Sequence, residues 1–141
     1  MPPRSIPISE FELRRNPPLA DAALNDLFAA SWSSYRPRRF GPVLERSLVY
    51  IAAFSGERLA GFVNVAWDGG IHGFVLDTTV HPDYRRRGIA LALLEDAARA
   101  AGDHRVEWLH VDFVPELEAL YRRAGYRPTE AGLLAIKVGA A

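Results

Sequence analysis

The chain has 141 residues, no cysteine, and 17 Lys plus Arg against 17 Asp plus Glu, a formal net charge of +0. Its length fits one domain over residues 1–141, and the charge balance removes the bulk electrostatic case for a nucleic-acid partner, so any basic feature has to be local. Without cysteine there are no disulfides, thiol nucleophile or cysteine-based zinc site, and the 4 histidines lack a metal-ligand spacing.

The N-terminal "MPPRSIPISE" lacks the apolar core of a signal peptide, and no apolar run approaches the roughly 20 residues that span a bilayer. A cytoplasmic protein with no membrane partner is expected. No repeat or low-complexity tract divides the chain. Residues 8–13 suit a first strand. In "PPLADAALNDLFAASW", Leu24, Leu27, Phe28 and Ser31 or Trp32 recur at helical spacing after prolines that suit a helix start. Residues 33–46, broken by Pro37, Gly41 and Pro42, read as loop plus a short helix.

Residues 48–54 and 59–67 are β-rich runs joined by the hairpin turn "SGER", and "DGG" at Asp68, Gly69 and Gly70 leads into a third run over residues 71–80. Next comes "GIALALLEDAARAAG", in which Ala90, Leu93, Leu94, Ala97 and Ala101 share a face and Gly102 supplies a stop. Residues 106–113 alternate as a strand. "PELEALYRRAGY" starts with Pro115, aligns Leu117, Leu120, Tyr121 and Ala124, and ends at Gly125, a second capped helix; residues 133–138 read as a closing strand. The order predicts an α/β (α+β mixed) fold with a mixed, mainly antiparallel sheet flanked by helices.

The turn "HPDYRRRGIA", between the third meander strand and the long helix, carries the chemistry. A helix N-terminus presents unpaired backbone N–H groups and partial positive charge, which bind phosphates. Gly88 lets an anion approach the main chain, while Arg85, Arg86 and Arg87 surround it with charge and donors. As a bare tetrapeptide, R-R-R-G reads equally as solvated surface; between a strand and a helix it reads as a pyrophosphate cradle. No Lys-Ser/Thr follows the glycine, and there is no G-x-G-x-x-G, so neither a P-loop nor a dinucleotide fingerprint is present.

"VHPDYRRRGIALALLEDA" resembles motif A of the GNAT superfamily of acyl-CoA-dependent N-acyltransferases, R/Q-x-x-G-x-G/A, with Arg85, Gly88 and Ala90 at its fixed positions. "LEALYRRAGY" resembles motif B, with Tyr121 and the pair Gly125 and Tyr126 in place. The resemblance covers roughly residues 48–138 and implies an N-acetyltransferase that passes an acetyl group from acetyl-CoA to a primary amine, on a small molecule or a protein, by direct attack in a ternary complex.

It further implies that the pyrophosphate rests on the backbone of Arg85, Arg86, Arg87, Gly88, Ile89 and Ala90. Pantetheine would run along the main chain of Thr78, Thr79 and Val80, where that strand splays from residues 106–113, and an N–H near Val80 would polarise the thioester carbonyl. Tyr121 falls at the position of the family's general acid; its helical stripe with Leu117 and Ala124 equally fits a core tyrosine. For the base, Asp77 stands where many members carry an acidic residue facing the substrate, although strand alternation turns it away from the face of Leu76 and Thr78. His110 and Asp112, sharing a face with Trp108, are further candidates. Where many members have an Asn near the start of the motif B helix, this chain has Val114 and Pro115, so that cofactor contact is lost or replaced.

On the acceptor side, Trp32, Tyr35, Arg36, Arg38, Arg39 and Phe40 fit a substrate with an apolar body and an anionic group, or a core with arginines on a loop. Two other readings stay open. One is a non-catalytic acyl-CoA-binding regulatory module, and the other is an anion-binding protein that uses the arginines on a phosphorylated partner. The resemblance is compatible with a monomer or a homodimer.

Overall fold

The computed structural model describes residues 10–137, in two units that divide between Val111 and Asp112. The first unit is built on a five-stranded sheet in the order β1 (Glu12–Arg15), β2 (Val49–Ser55), β3 (Arg58–Trp67), β4 (His72–Val80), β5 (Trp108–His110). Its helices are α1 (Asp21–Ser31), α2 (Gly41–Arg46) and α3 (Ile89–Asp103). β1 through β4 pair antiparallel and β4 pairs parallel with β5. The meander and the expected mixed sheet are both present.

Alternation along β3 sets the layers. Gly61 faces α3 so closely that a Cβ there would stand 3.1 Å from Leu93 Cδ1 and 3.2 Å from Ile89 Cγ2. Its neighbour Phe62 points to the opposite face and meets Phe28 of α1 edge-on at 5.9 Å. On that second face Phe28 also packs on Phe40, centroids 5.3 Å apart, in a buried cluster with Leu24, Leu27, Ala52, Phe54, Leu59 and Phe62.

The first strand lies later than residues 8–13; Ile8 and Ser9 are outside the described residues. Pairing decides its place, with Leu13 opposite Ala53 and Arg15 opposite Ile51. Asn16 then ends the strand at φ 54°, its N–H donating to the Tyr50 carbonyl (2.7 Å) while its Oδ1 accepts from the Tyr50 N–H (3.0 Å). This register aims Arg15 at α3. Its Nε and Nη2 donate to both oxygens of Asp96 at 3.1 and 2.9 Å, and Nη1 donates to Asp103 at 3.1 Å.

The Arg15 hydrogen bonds hold the Asp96 carboxyl below its ordinary range. A depressed carboxyl stabilises the fold fully above its unfolded pKa, about 4, and that contribution disappears as pH falls through the lower, folded value. Asp96→Asn is therefore expected to lower stability by about 1–2 kcal/mol at pH 7. Urea unfolding should show the difference shrinking between pH 4 and pH 2; a difference independent of pH would discount the ion pair.

Helix α3 does not stop at Gly102. It runs through it to Asp103, and the left-handed position falls on Arg105, φ 66°. Val106 N–H bonds the Ala101 carbonyl (3.1 Å) and Arg105 N–H the Gly102 carbonyl (3.0 Å), a Schellman closure with an L side chain where glycine is usual. Arg105→Gly is expected to stabilise the protein by roughly 0.5–1 kcal/mol, seen as a rise in Tm, because the strain of the left-handed Cβ is relieved.

Two strand expectations are corrected. The strand expected over residues 106–113 is only three residues long, since its partner β4 pairs with it through His72, Gly73 and Phe74 alone. Residues 133–137 form no strand, and Val138 lies outside the described residues. Leu133, Leu134 and Ile136 are exposed at 83–88%, because alternation yields a strand only where a neighbouring edge supplies hydrogen bonds.

In the second unit, Pro115 opens a 3-10 turn (Pro115–Leu117) that continues as α4 (Glu118–Arg123), and Gly125 at φ 99° ends it. The helix expected from Pro115 is thus split, with Leu117 largely outside the core. No helix among the described residues is long and apolar enough to cross a membrane.

Candidate functional site

Three features of the first unit meet around the end of β4. The first is an open edge. Pairing with β5 ends at Phe74 opposite His110, while β4 continues to Val80, so the N–H and C=O groups on that edge have no β5 ladder partner. Thr78, Thr79 and Val80 lie on this unpaired stretch.

The second feature is the turn from β4 into α3. His81 caps a 3-10 turn (Pro82–Tyr84) by accepting the Asp83 N–H at 3.1 Å. Arg86 (φ 63°) and Gly88 (φ 80°) then take left-handed conformations that bend the chain into the helix. As a result the N–H groups of Arg86, Gly88, Ile89 and Ala90 find no acceptor among the described residues, while Ile89 itself is buried against Gly61 and anchors the turn.

The three arginines differ. Arg85 and Arg86 are exposed. Arg87 is half-buried with its Cζ 6.0 Å from the Tyr84 ring centre, and its Nη1 is buried with no partner. Arg58, which no sequence signal singles out, lies across the same ring at 5.3 Å and donates to Asp83 at 3.2 Å. A row of free N–H groups, a left-handed glycine, two exposed guanidiniums and one orphaned guanidinium nitrogen form a donor set that suits a diphosphate.

The third feature is a β-bulge. Phe62 pairs with Thr79 and Asn64 with Leu76, so two steps of β3 face three of β4. Asp77 absorbs the extra residue at φ 57°, and the Thr79 hydroxyl closes the bulge by donating to the Asp77 carbonyl at 3.0 Å. This overturns the alternation argument about Asp77: the carboxylate meets Arg38, whose Nη2 donates to Oδ2 at 3.4 Å. Arg38 lies over Phe40 (4.8 Å) and Phe28 (5.8 Å), on the α1 side of the sheet. Thr79 is buried, and the hydroxyl of Thr78 is buried without a partner.

His110 is also committed elsewhere. Its Nε2 is 2.8 Å from Nδ1 of His72, and its ring stacks on Phe74 with centroids 4.9 Å apart. Cross-strand placement makes this pair, at a sequence separation of 38 that no local motif reports.

Tyr121 and Asp112 belong to the second unit. Tyr121 is 5% exposed, stacked on Phe113 at 4.8 Å and edge-on to Tyr126 at 5.7 Å. Burial pushes the Tyr126 phenol up to about 12, and its hydroxyl has no partner. Asp112 lines a hollow with Phe113, Val114, Ala131, Gly132 and Leu133.

The family model described as Acetyltransferase (GNAT) family matches residues 18–126, a span that holds the open edge, the turn and Tyr121. The chain belongs to the GNAT family of acetyltransferases. Its fold is that of solved GNAT proteins. A GNAT-family acetyltransferase of Streptococcus pneumoniae superposes with a TM-score of 0.77 at 20% identity, covering 91% of this chain and 98% of that one. An aminoglycoside N-acetyltransferase in complex with CoA superposes with a TM-score of 0.70 at 17% identity, over 91% and 95% of the two chains. Among curated proteins, the mycothiol acetyltransferase of Mycolicibacterium vanbaalenii is 33% identical over 66 residues, 47% of this chain. The matched stretch is 22% of that relative's length.

Proposed function

We propose that the protein is an N-acetyltransferase that transfers the acetyl group of acetyl-CoA to a primary amine by direct attack in a ternary complex. The observation that carries this reading is the set of unpaired N–H groups of Arg86, Gly88, Ile89 and Ala90 at the start of α3, following the stretch of β4 that runs past its parallel partner. Acyl-CoA when bound supplies an activated thioester carbonyl. Arg85, Arg86, Arg87, Gly88, Ile89 and Ala90 hold its diphosphate, and the free edge of Thr78, Thr79 and Val80 aligns the chain that leads to the thioester.

A backbone N–H near Val80 polarises the carbonyl oxygen as negative charge develops there. The carboxylate of Asp77 draws the acceptor ammonium in and takes up its proton, directly or through water, so that the nitrogen attacks as a free amine. The new C–N bond forms as the C–S bond breaks, the phenol of Tyr121 gives its proton to the departing sulfur, and the second proton of the attacking nitrogen passes through water to the resulting phenolate, leaving the neutral amide and thiol. The proposal takes residues 1–141 as one catalytic unit working in the cytoplasm, as a monomer or homodimer.

One observation favours the non-catalytic acyl-CoA-binding module: Tyr121 is packed between two rings and fits a core role. The deciding experiment is titration of acetyl-CoA into the protein, followed by a coupled thiol-release assay over a panel of amines. Micromolar binding with amine-dependent thiol release supports the enzyme, binding without turnover for any amine supports the module, and the absence of binding removes both.

A further inference from the structure

We propose that the acceptor is an α-amino acid with an apolar or aromatic side chain, read as a zwitterion by Arg38 and Asp77 together. The inference rests on the acetyltransferase reading and adds the substrate class. It starts from the strain at Asp77. A non-glycine residue at φ 57° is strained, and here that strain turns a carboxylate out of the strand alternation and onto an arginine 39 positions earlier in the chain.

Arg38 is held for this encounter. The Asn25 side chain grips its backbone from both sides, Nδ2 donating to the Arg38 carbonyl and Oδ1 accepting the Arg38 N–H, each at 2.9 Å. Oδ1 of Asn25 also accepts from Tyr35 Oη at 2.5 Å. The guanidinium lies over the rings of Phe40 and Phe28, its Cζ 4.8 and 5.8 Å from their centres. An exposed surface arginine needs no such support.

The pair is nevertheless unfinished. The Arg38 side chain is 45% exposed and that of Asp77 27%. Among the described residues the guanidinium donates only from Nη2, and the carboxylate accepts from this guanidinium only through Oδ2. A free carboxylate oxygen therefore stands beside free guanidinium N–H groups. An α-amino acid carries the complementary charges one carbon apart: its ammonium can donate to Asp77 while its carboxylate takes the open N–H groups of Arg38. Four charges then alternate in a ring without the existing bond having to open.

The apolar preference comes from the surroundings. Trp32, 38% exposed, stacks on Phe28 at 4.6 Å, and Leu76, beside Asp77, is 40% exposed. Trp32 shares the Phe28 ring with Arg38, and Leu76 adjoins Asp77 along β4, so exposed apolar surface belongs to the same elements that carry the charged pair.

The test compares kcat/KM for phenylalanine, methionine and leucine with the corresponding amides and decarboxylated amines, using acetyl-CoA as donor. At least one free amino acid is expected to exceed both its amide and its decarboxylated amine by roughly 10- to 100-fold, the range of a charge-assisted pair. Arg38→Met is expected to bring that ratio close to 1 without changing KM for acetyl-CoA, and Arg38→Lys to restore part of it; circular dichroism confirms that both variants fold. Equal turnover of amides or decarboxylated amines, or an Arg38→Met variant that keeps the wild-type ratio, overturns the inference and leaves the acetyltransferase reading standing. Failure of acetyl-CoA to bind removes that reading first, and this inference with it.

Discussion

Gly88→Glu is expected to weaken acetyl-CoA binding at least 100-fold in a calorimetric titration. Two effects combine. The residue sits at φ 80° at the N-cap of α3, where an L side chain costs about 1–2 kcal/mol. The added carboxylate then faces the diphosphate; two like charges about 4 Å apart near a protein surface repel by about 4 kcal/mol at an effective dielectric of 20. Gly88→Ala separates the two, since it carries the strain without the charge, and is expected to lose far less affinity. If Gly88→Glu binds like the wild type while its melting curve is normal, the N–H row is not the diphosphate site.

Tyr121→Phe is expected to lower kcat by roughly 100-fold or more while KM for acetyl-CoA stays the same, because a positioned general acid contributes about 10²–10⁴-fold. The substitution is conservative for packing: the ring that stacks on Phe113 at 4.8 Å and meets Tyr126 edge-on is kept. Only the phenolic proton is removed. Unchanged kcat would assign Tyr121 to the core and leave the acid to another group; lost activity with a lowered Tm would instead report packing.

Much of the architecture was legible because its signals are local. Each meander strand is a β-rich run bounded by turn residues, Gly56 at φ 60° and the Asp68 carboxylate accepting the Gly70 N–H at 2.7 Å mark the turns, and the apolar stripe of α3 repeats at helical spacing. The turn from β4 to α3 was legible for the same reason: glycine, arginines, strand end and helix start are contiguous. The strand over residues 133–138 and the full length of the strand over residues 106–113 were misread. A strand needs a neighbour's edge, and alternation says nothing about whether one is in reach. The stop at Gly102 failed because closure depends on where the helix carbonyls find donors, and those donors are Arg105 and Val106.

By itself the sequence determined the order of elements as far as α4, the two motifs and the family they carry, since these are properties of neighbouring residues. Tertiary structure decided which side chains meet. The bulge that rotates Asp77 onto Arg38 arises from a mismatch of register between β3 and β4. The clamp of Asn25 on Arg38 and the meeting of His72 with His110 join residues 13 and 38 positions apart. Such pairings depend on strand register and helix placement, which are settled by the packing of the whole core and leave no periodic trace in the segments they join.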